Sequence, residues 1–286
     1  MENALLGSFP FDSPVLDCAF ANANDSTMMV AGLLDGNVTL CNLEARTPVV
    51  LGSHSDGVRV LVSAPNFGLI ISGSWDGTVK CWDPRQERPV STVPQEGKVF
   101  AADGVGNRLV VATANRHIAI WDLRKMQEPS QRRLSSLKTQ SRSLHCMPDR
   151  KGFALGSVEG RVAVEYFDIS ADVQAKKYAF KCHRQVVDGV DTVYPVNAIV
   201  WHPSYGTFAT GGCDGHVAIW DGNLKKRCAL LPKYATSIAS LSFSPDGNTL
   251  AIAVSYTWEQ GDIAHPADAI YVKDVSELAK PRKPKV

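Results

Sequence analysis

The chain has 286 residues, 44% hydrophobic and 21% charged, and its 30 basic and 29 acidic side chains leave a formal net charge of +1. This balance excludes a wholly disordered chain and provides no global field to draw the protein onto nucleic acid or anionic lipid. No apolar run approaches the roughly 20 residues needed to span a bilayer, so neither a membrane nor a direct sequence-specific nucleic-acid partner is expected. Seven widely spaced cysteines form no Cys-x-x-Cys pair, which argues against a zinc site or a disulfide framework. Residues 1–7 have no basic start and no long apolar region, so no secretory signal is expected, and free thiols fit cytosol or nucleus.

The first predicted strand spaces its apolar residues as Val15, Cys18 and Phe20. A turn and strand follow at Leu34-Asp35-Gly36-Asn37-Val38-Thr39-Leu40-Cys41-Asn42. Val38 and Leu40 alternate with polar neighbours, and a period of two over so short a run means β structure. The unit returns as Ser72-Gly73-Ser74-Trp75-Asp76-Gly77-Thr78-Val79-Lys80-Cys81-Trp82-Asp83, then as Ala114-Asn115-Arg116-His117-Ile118-Ala119-Ile120-Trp121-Asp122. A weaker copy is Val158-Glu159-Gly160-Arg161-Val162-Ala163-Val164-Glu165-Tyr166. A strong one is Gly211-Gly212-Cys213-Asp214-Gly215-His216-Val217-Ala218-Ile219-Trp220-Asp221. The sixth is degenerate: Ala253-Val254-Ser255, an insertion, then Ala269-Ile270-Tyr271-Val272-Lys273-Asp274. Strand pairs joined by turns such as Ala64-Pro65-Asn66-Phe67-Gly68 and His202-Pro203-Ser204-Tyr205-Gly206 precede several copies. Proline presets the turn and glycine releases the chain into the next strand.

The turn residues Asp35, Asp76, Asn115, Glu159 and Asp214 lie 41, 39, 44 and 55 residues apart. A period of roughly 40 to 45 is that of a four-stranded propeller blade. The reading is an all-β propeller over residues 1–275 and a basic tail over 276–286, where Lys280, Arg282, Lys283 and Lys285 sit among Pro281 and Pro284. The tail is a candidate nuclear-import signal. The long fourth interval places about ten extra residues after His183, as an enlarged loop over 185–193.

The Asp-Gly turn, the closing Trp-Asp, the proline turn and the period together resemble WD-repeat β-propellers. Lys176-Lys177-Tyr178-Ala179-Phe180-Lys181-Cys182-His183-Arg184 and Tyr194-Pro195-Val196-Asn197-Ala198-Ile199 resemble the spindle-checkpoint group named "budding uninhibited by benzimidazole", whose relative is a messenger-RNA-export factor. Members have seven blades, whereas six units are visible here, so the first blade is expected to be missing. Either residues 5–9 close a six-unit ring or the ring stays open. The resemblance implies a non-catalytic checkpoint scaffold without cofactor or metal, in the nucleus, at kinetochores in mitosis, or in the cytoplasm. It would clamp a GLEBS segment of a checkpoint kinase or kinase-like protein and dock on a phosphorylated kinetochore scaffold. A nucleoporin partner is the export alternative.

His54, Ser72 and Asp76 invite comparison with a catalytic triad, but no Gly-x-Ser-x-Gly elbow accompanies them. In WD repeats such residues, with Trp82, resemble a buried hydrogen-bond chain, and His183, Asp214 and Trp220 repeat it. Trp75, before a turn aspartate, is a candidate interface anchor. Arg184 presents a planar fork suited to a carboxylate, and the resemblance implies that it grips acidic residues of the GLEBS segment. Arg116 is a further candidate on the same ring face. Lys225, Lys226 and Arg227 are the phosphopeptide candidates. Trp82-Asp83-Pro84-Arg85 and Trp121-Asp122-Leu123-Arg124 resemble the box that docks some WD-repeat proteins on cullin-ligase adaptors.

Overall fold

The structure, a computed structural model, describes residues 7–22, 25–86 and 88–282. It divides into two compact units, Met1–Ser135 and Ser136–Val286. The first holds three four-stranded antiparallel meanders. They are β1 (Val15–Asn22), β2 (Asp25–Leu33), β3 (Asn37–Asn42) and β4 (Thr47–Ser53); β5 (Val58–Ala64), β6 (Leu69–Ser74), β7 (Thr78–Trp82) and β8 (Ser91–Pro94); and β9 (Val99–Val105), β10 (Arg108–Thr113), β11 (His117–Asp122) and β12 (Gln131–Leu134).

The second unit opens with the meander β13 (Ser141–Cys146), β14 (Gly152–Ser157), β15 (Arg161–Tyr166) and β16 (Tyr178–Lys181), interrupted by a single helical turn, α1 (Ala171–Gln174). A separate hairpin, β17 (Arg184–Val187) and β18 (Val190–Val193), follows. Then come the sheet β19 (Val196–Trp201), β20 (Thr207–Gly212), β21 (Val217–Asp221) and β22 (Lys226–Leu230), and the three-stranded sheet β23 (Ile238–Phe243), β24 (Thr249–Val254) and β25 (Ala269–Asp274). These six sheets are the blades of an all-β WD-repeat propeller. The expected closing strand over residues 5–9 falls partly outside the described residues, and its described part, Gly7 to Phe9, is not in a strand.

In the fifth blade burial falls from the first strand to the last, and sequence explains why. β19 is buried at every residue, whereas β22, Lys226-Arg227-Cys228-Ala229-Leu230, is exposed or half-buried throughout. The first strand packs against the first strands of neighbouring sheets: β5 lies against β1 and β9, and β19 lies against β13 and β23. A strand flanked on both faces must be apolar, while an outer strand can carry Lys and Arg into water. Trp82 is locked against the preceding sheet because Gly52 has no side chain; a Cβ there would sit 2.5 Å from the indole. Proline and glycine act as expected at Pro65–Phe67, a 3₁₀ turn ended by Gly68 at φ 63°.

The segment assigned to the tail does not begin as free chain. Val275 and Ala279 are buried in the core of the last two sheets, and Thr207 Oγ1 donates to the Ala279 carbonyl at 2.7 Å. Arg282 donates from its backbone to Asp221 and from its side chain to the Cys228 carbonyl. Lys283 and Lys285 lie outside the described residues.

Candidate functional site

Two polar chains sit at the β-turn ends of their blades. In the second sheet, Trp82 Nε1 donates to Ser72 Oγ at 2.7 Å, Ser72 Oγ meets His54 Nε2 at 2.7 Å, and His54 Nδ1 meets Asp76 Oδ2 at 3.0 Å. One polarity satisfies every member: indole to hydroxyl, hydroxyl to imidazole, imidazole N–H to carboxylate. It requires neutral His54. Burial lowers that imidazole's pKa, against the opposing pull of Asp76. Burial works to raise the Asp76 carboxyl, but hydrogen bonds from Thr78 and Ser55 and the nearby His54 hold it at about 2.

This arrangement has the connectivity of a Ser-His-Asp triad without its accessibility. Ser72 is 0% exposed, and its oxygen already accepts the Trp82 N–H, so no carbonyl carbon can reach it. The fifth sheet repeats the chain with Thr210 as the hydroxyl. His183 bonds Asp214 at 2.9 Å and Thr210 at 2.8 Å, and Trp220 donates to Thr210 at 3.0 Å. The third sheet carries Val111 at the corresponding place, paired with Ala119 as Ser72 is with Lys80. Among the described residues, the buried Trp121 Nε1 there has no partner.

Trp75 is half-buried rather than freely exposed. Its ring lies 2.9 Å from where a Cβ on Gly57 would stand, and the Trp75 backbone N–H donates to the Gly57 carbonyl at 3.0 Å. The missing side chain at Gly57 leaves a slot that the indole fills. Arg116 sits in the β10–β11 turn at φ 67°, half-buried.

Arg184 lies at the root of a built element, not of a loop. Residues 184–193 pair as β17 and β18 across an Asp188-Gly189 turn with φ 49° and 79°. Such a turn needs positive φ at both central residues, which Asp-Gly tolerates. The signal stood in the sequence, with Val187 before the Asp-Gly and Val190 after it. The Arg184 side chain is 21% exposed; Nη1 donates to Asp191 Oδ2 at 2.8 Å and Nη2 to the Glu159 carbonyl at 3.3 Å. Nε is buried and has no partner among the described residues. Asp191 was not singled out from sequence, because only hairpin register brings it back to Arg184.

The basic run lies elsewhere in the same blade. Asp214 is in the β20–β21 turn beside His183 and Arg184, whereas Lys225 is in the β21–β22 turn. The five residues of β21 separate these ends, about 17 Å at the usual rise. Lys225 Nζ sits 4.7 Å above the Tyr178 ring. Lys226 and Arg227 are exposed on β22, within the blade rather than between blades. Arg85 and Arg124 each fork onto the aspartate of their own box, with bonds of 2.8 Å to Asp83 and of 2.9 and 2.6 Å to Asp122. No group of three or more His, Cys, Asp or Glu able to hold a metal occurs among the described residues, and no helix there is long and apolar enough to cross a membrane.

Residues 46–83 and 177–221 match the family model "WD domain, G-beta repeat". The chain is 51% identical over 289 residues to "Mitotic checkpoint protein BUB3.1" of Arabidopsis thaliana, covering 99% of this chain and 84% of the plant protein. It is 45% identical to "Mitotic checkpoint protein bub3" of Dictyostelium discoideum, covering 94% and 82%. A "Poly(A)+ RNA export protein" of Schizosaccharomyces pombe is 34% identical, covering 88% and 72%. Among solved structures, a chain of the "Crystal Structure of Mitotic Checkpoint Complex" shares the fold, with TM-score 0.70 and 18% identity over 85% of this chain and 72% of that one. The buried Trp–hydroxyl–His–Asp chains, the blade repeat and identities of 51% and 45% over most of both chains converge: this chain belongs to the BUB3 family of WD-repeat mitotic checkpoint proteins.

Proposed function

We propose that this protein is a non-catalytic scaffold of the spindle assembly checkpoint that binds the acidic GLEBS segment of a checkpoint kinase or kinase-like protein through Arg184. The observation that carries this reading is the state of the guanidinium. It is mostly buried, rests on one carboxylate of its own hairpin and one carbonyl, and keeps Nε unpartnered. The part of the guanidinium that stays exposed offers its charge and its Nη donors to an incoming carboxylate, in competition with Asp191. Trp75 and Arg116 stand at turn ends of their own blades within the first unit and are separate candidates for peptide contact.

Docking on a phosphorylated kinetochore scaffold is assigned to Lys226 and Arg227, which are exposed and free of ion pairs among the described residues. Lys225 contributes less, because its ammonium is committed to Tyr178. The two ligands would then use the separate hairpin at one end of the fifth blade and the β21–β22 turn at the other. The protein would act in the nucleus and at kinetochores. The export reading employs the same arginine with a nucleoporin segment; the higher identity to checkpoint relatives than to the export protein favours the first. The ligase-adaptor reading is not favoured, since Arg85 and Arg124 are each closed onto an aspartate of their own box.

Calorimetric titration of a GLEBS peptide into the wild type and Arg184→Glu tests the assignment. Saturable binding that the variant loses supports it. Equal binding by a folded variant removes Arg184 from the site, and no wild-type binding removes the GLEBS reading.

A further inference from the structure

The whole chain carries a net charge of only +1, so a strong positive field can arise only where the fold gathers charge locally. It does so on two connections at one end of the fourth and fifth blades. The β15–β16 connection carries α1 and ends in Lys176 and Lys177. The β21–β22 turn holds Lys225 and runs into Lys226 and Arg227. Direct contacts join the two. Tyr178 Oη donates to the Gly222 carbonyl at 2.9 Å, and Lys225 Nζ reaches the Lys176 carbonyl at 3.5 Å. Lys225 adopts φ 56°, uncommon for a residue with a side chain, and its ammonium lies 4.7 Å above the Tyr178 ring.

All five basic residues are exposed, and none has an ion pair among the described residues. The acids on the same two connections are Asp168 and Asp172, both exposed. Asp221, next to the turn, is buried, and its carboxylate accepts the backbone N–H groups of Asn223, Leu224 and Arg282. Arg282 is thereby held against the same turn, with its guanidinium on the Cys228 carbonyl at 3.2 Å.

We propose that this patch binds the phosphate backbone of duplex DNA without regard to base sequence. Charge complementarity carries the inference. Six cations from three chain segments exceed what one phosphate group can engage, whereas a polymer with a phosphate at every nucleotide meets them in succession. The aromatic content of the patch selects duplex over single strands. Single-strand binding relies on free rings that stack bases, and Tyr178, between the two connections, is covered by Lys225 and tied by its hydroxyl. Lys176, Lys177, Lys226 and Arg227 reach the phosphates, while Lys225 adds to the field from its place over the ring. The patch is independent of Arg184 and of the GLEBS reading. It shares Lys226 and Arg227 with the phosphorylated-scaffold reading, so the test falls on Lys176 and Lys177.

The probe is a short dye-labelled duplex of mixed sequence, titrated by anisotropy against the full chain at several salt concentrations. With about four phosphates neutralised, log K should fall against log salt with a slope of roughly −3.6, about −0.9 per contact. A duplex of unrelated sequence should bind equally. The double variant Lys176→Gln and Lys177→Gln should weaken binding at least tenfold at low salt and flatten the slope by about 1.8, the share of two contacts. Arg85→Gln, an exposed cation of the first unit, should change neither. No binding at low salt, a slope unmoved by the double variant, or an equal loss for Arg85→Gln overturns the inference. Because Ile169 is 75% exposed on the same connection, phosphatidylserine vesicles form a competing arm, and a blocked peptide with a single phosphothreonine forms another. Either one displacing the duplex through Lys176 and Lys177 at lower concentration than unlabelled duplex overturns the inference, because the occupant would then be a membrane or a phosphopeptide. Failure of the duplex to bind leaves the phosphorylated-scaffold reading standing, since that is read with the peptide alone.

Discussion

Arg184 Nη1 lies 2.8 Å from Asp191 Oδ2, seven residues along the same hairpin. The arginine is sheltered and the aspartate is 59% exposed, so the pair is a buried cation held by a carboxylate that water can reach. A partner carboxylate must compete with Asp191 for the same fork. Arg184→Glu should cost about 2–5 kcal/mol of GLEBS-peptide binding, the range for disrupting a buried charge pair. Asp191→Asn should tighten binding by up to about 1 kcal/mol, the worth of a screened exposed pair. Weaker binding by Asp191→Asn in calorimetry would show instead that Asp191 orients the arginine for its ligand.

The unpartnered Trp121 indole predicts a stabilising substitution. Val111→Thr places a hydroxyl where the second and fifth sheets have Ser72 and Thr210. A hydrogen bond there is worth about 1 kcal/mol net, so the urea midpoint should rise. Ser72→Ala does the reverse: it strips partners from Trp82 and His54 and should cost about 1–3 kcal/mol. A fall in stability for Val111→Thr would mean that the new hydroxyl finds no acceptor of its own.

The His54–Asp76 pair sets an acid limit. Asp76 is held at about 2, below the usual 3.8, while His54 is held below the usual 6.5. In both cases the unfolded chain takes up the proton first, so stability from these groups is present at neutral pH and falls as pH falls. Loss from His54 begins below pH 6.5, and loss from Asp76 runs from about pH 4 down through 2. For Asp76 the full effect is roughly 2 kcal/mol at about 1.4 kcal/mol per pKa unit. Asp76→Asn should therefore destabilise at pH 7 and much less near pH 2, as read by denaturant unfolding at both. A pH-independent penalty would assign its effect to packing alone.

Trp75→Ala should affect folding as well as binding. The indole fills the slot over Gly57, so truncation leaves a cavity at a half-buried site and should lower the melting temperature by several degrees, the shift expected from 1–2 kcal/mol in a chain of this size. Gly57→Ala, which sets a Cβ 2.9 Å from the ring, should produce a similar loss. If Trp75→Ala weakens the peptide yet melts like wild type, the ring contributes to the interface and not to the blade.

Most of the fold was legible in the amino-acid order. The turn aspartates recur at blade spacing, and period-two alternation marks the strands around them. The Trp, His and Asp of each polar chain could be named because their types recur in step with the repeat, and a buried imidazole needs such partners. The hairpin over 184–193 is equally marked in Val187-Asp188-Gly189-Val190, because Asp-Gly between β-branched residues accepts the positive φ of a tight turn.

What lay beyond the sequence depended on register and on neighbouring elements. Asp191 reaches Arg184 only because β17 and β18 pair across that turn. Trp75 is half-buried only because Gly57 leaves room beside it. Lys225 meets Tyr178, and lies a strand's length from Asp214, because successive turns of a meander alternate between the two ends of a sheet. The repeat determined the blades by itself, since period and turn chemistry are local. Which charges are paired and which rings are covered were decided by tertiary structure, since each depends on residues remote in sequence.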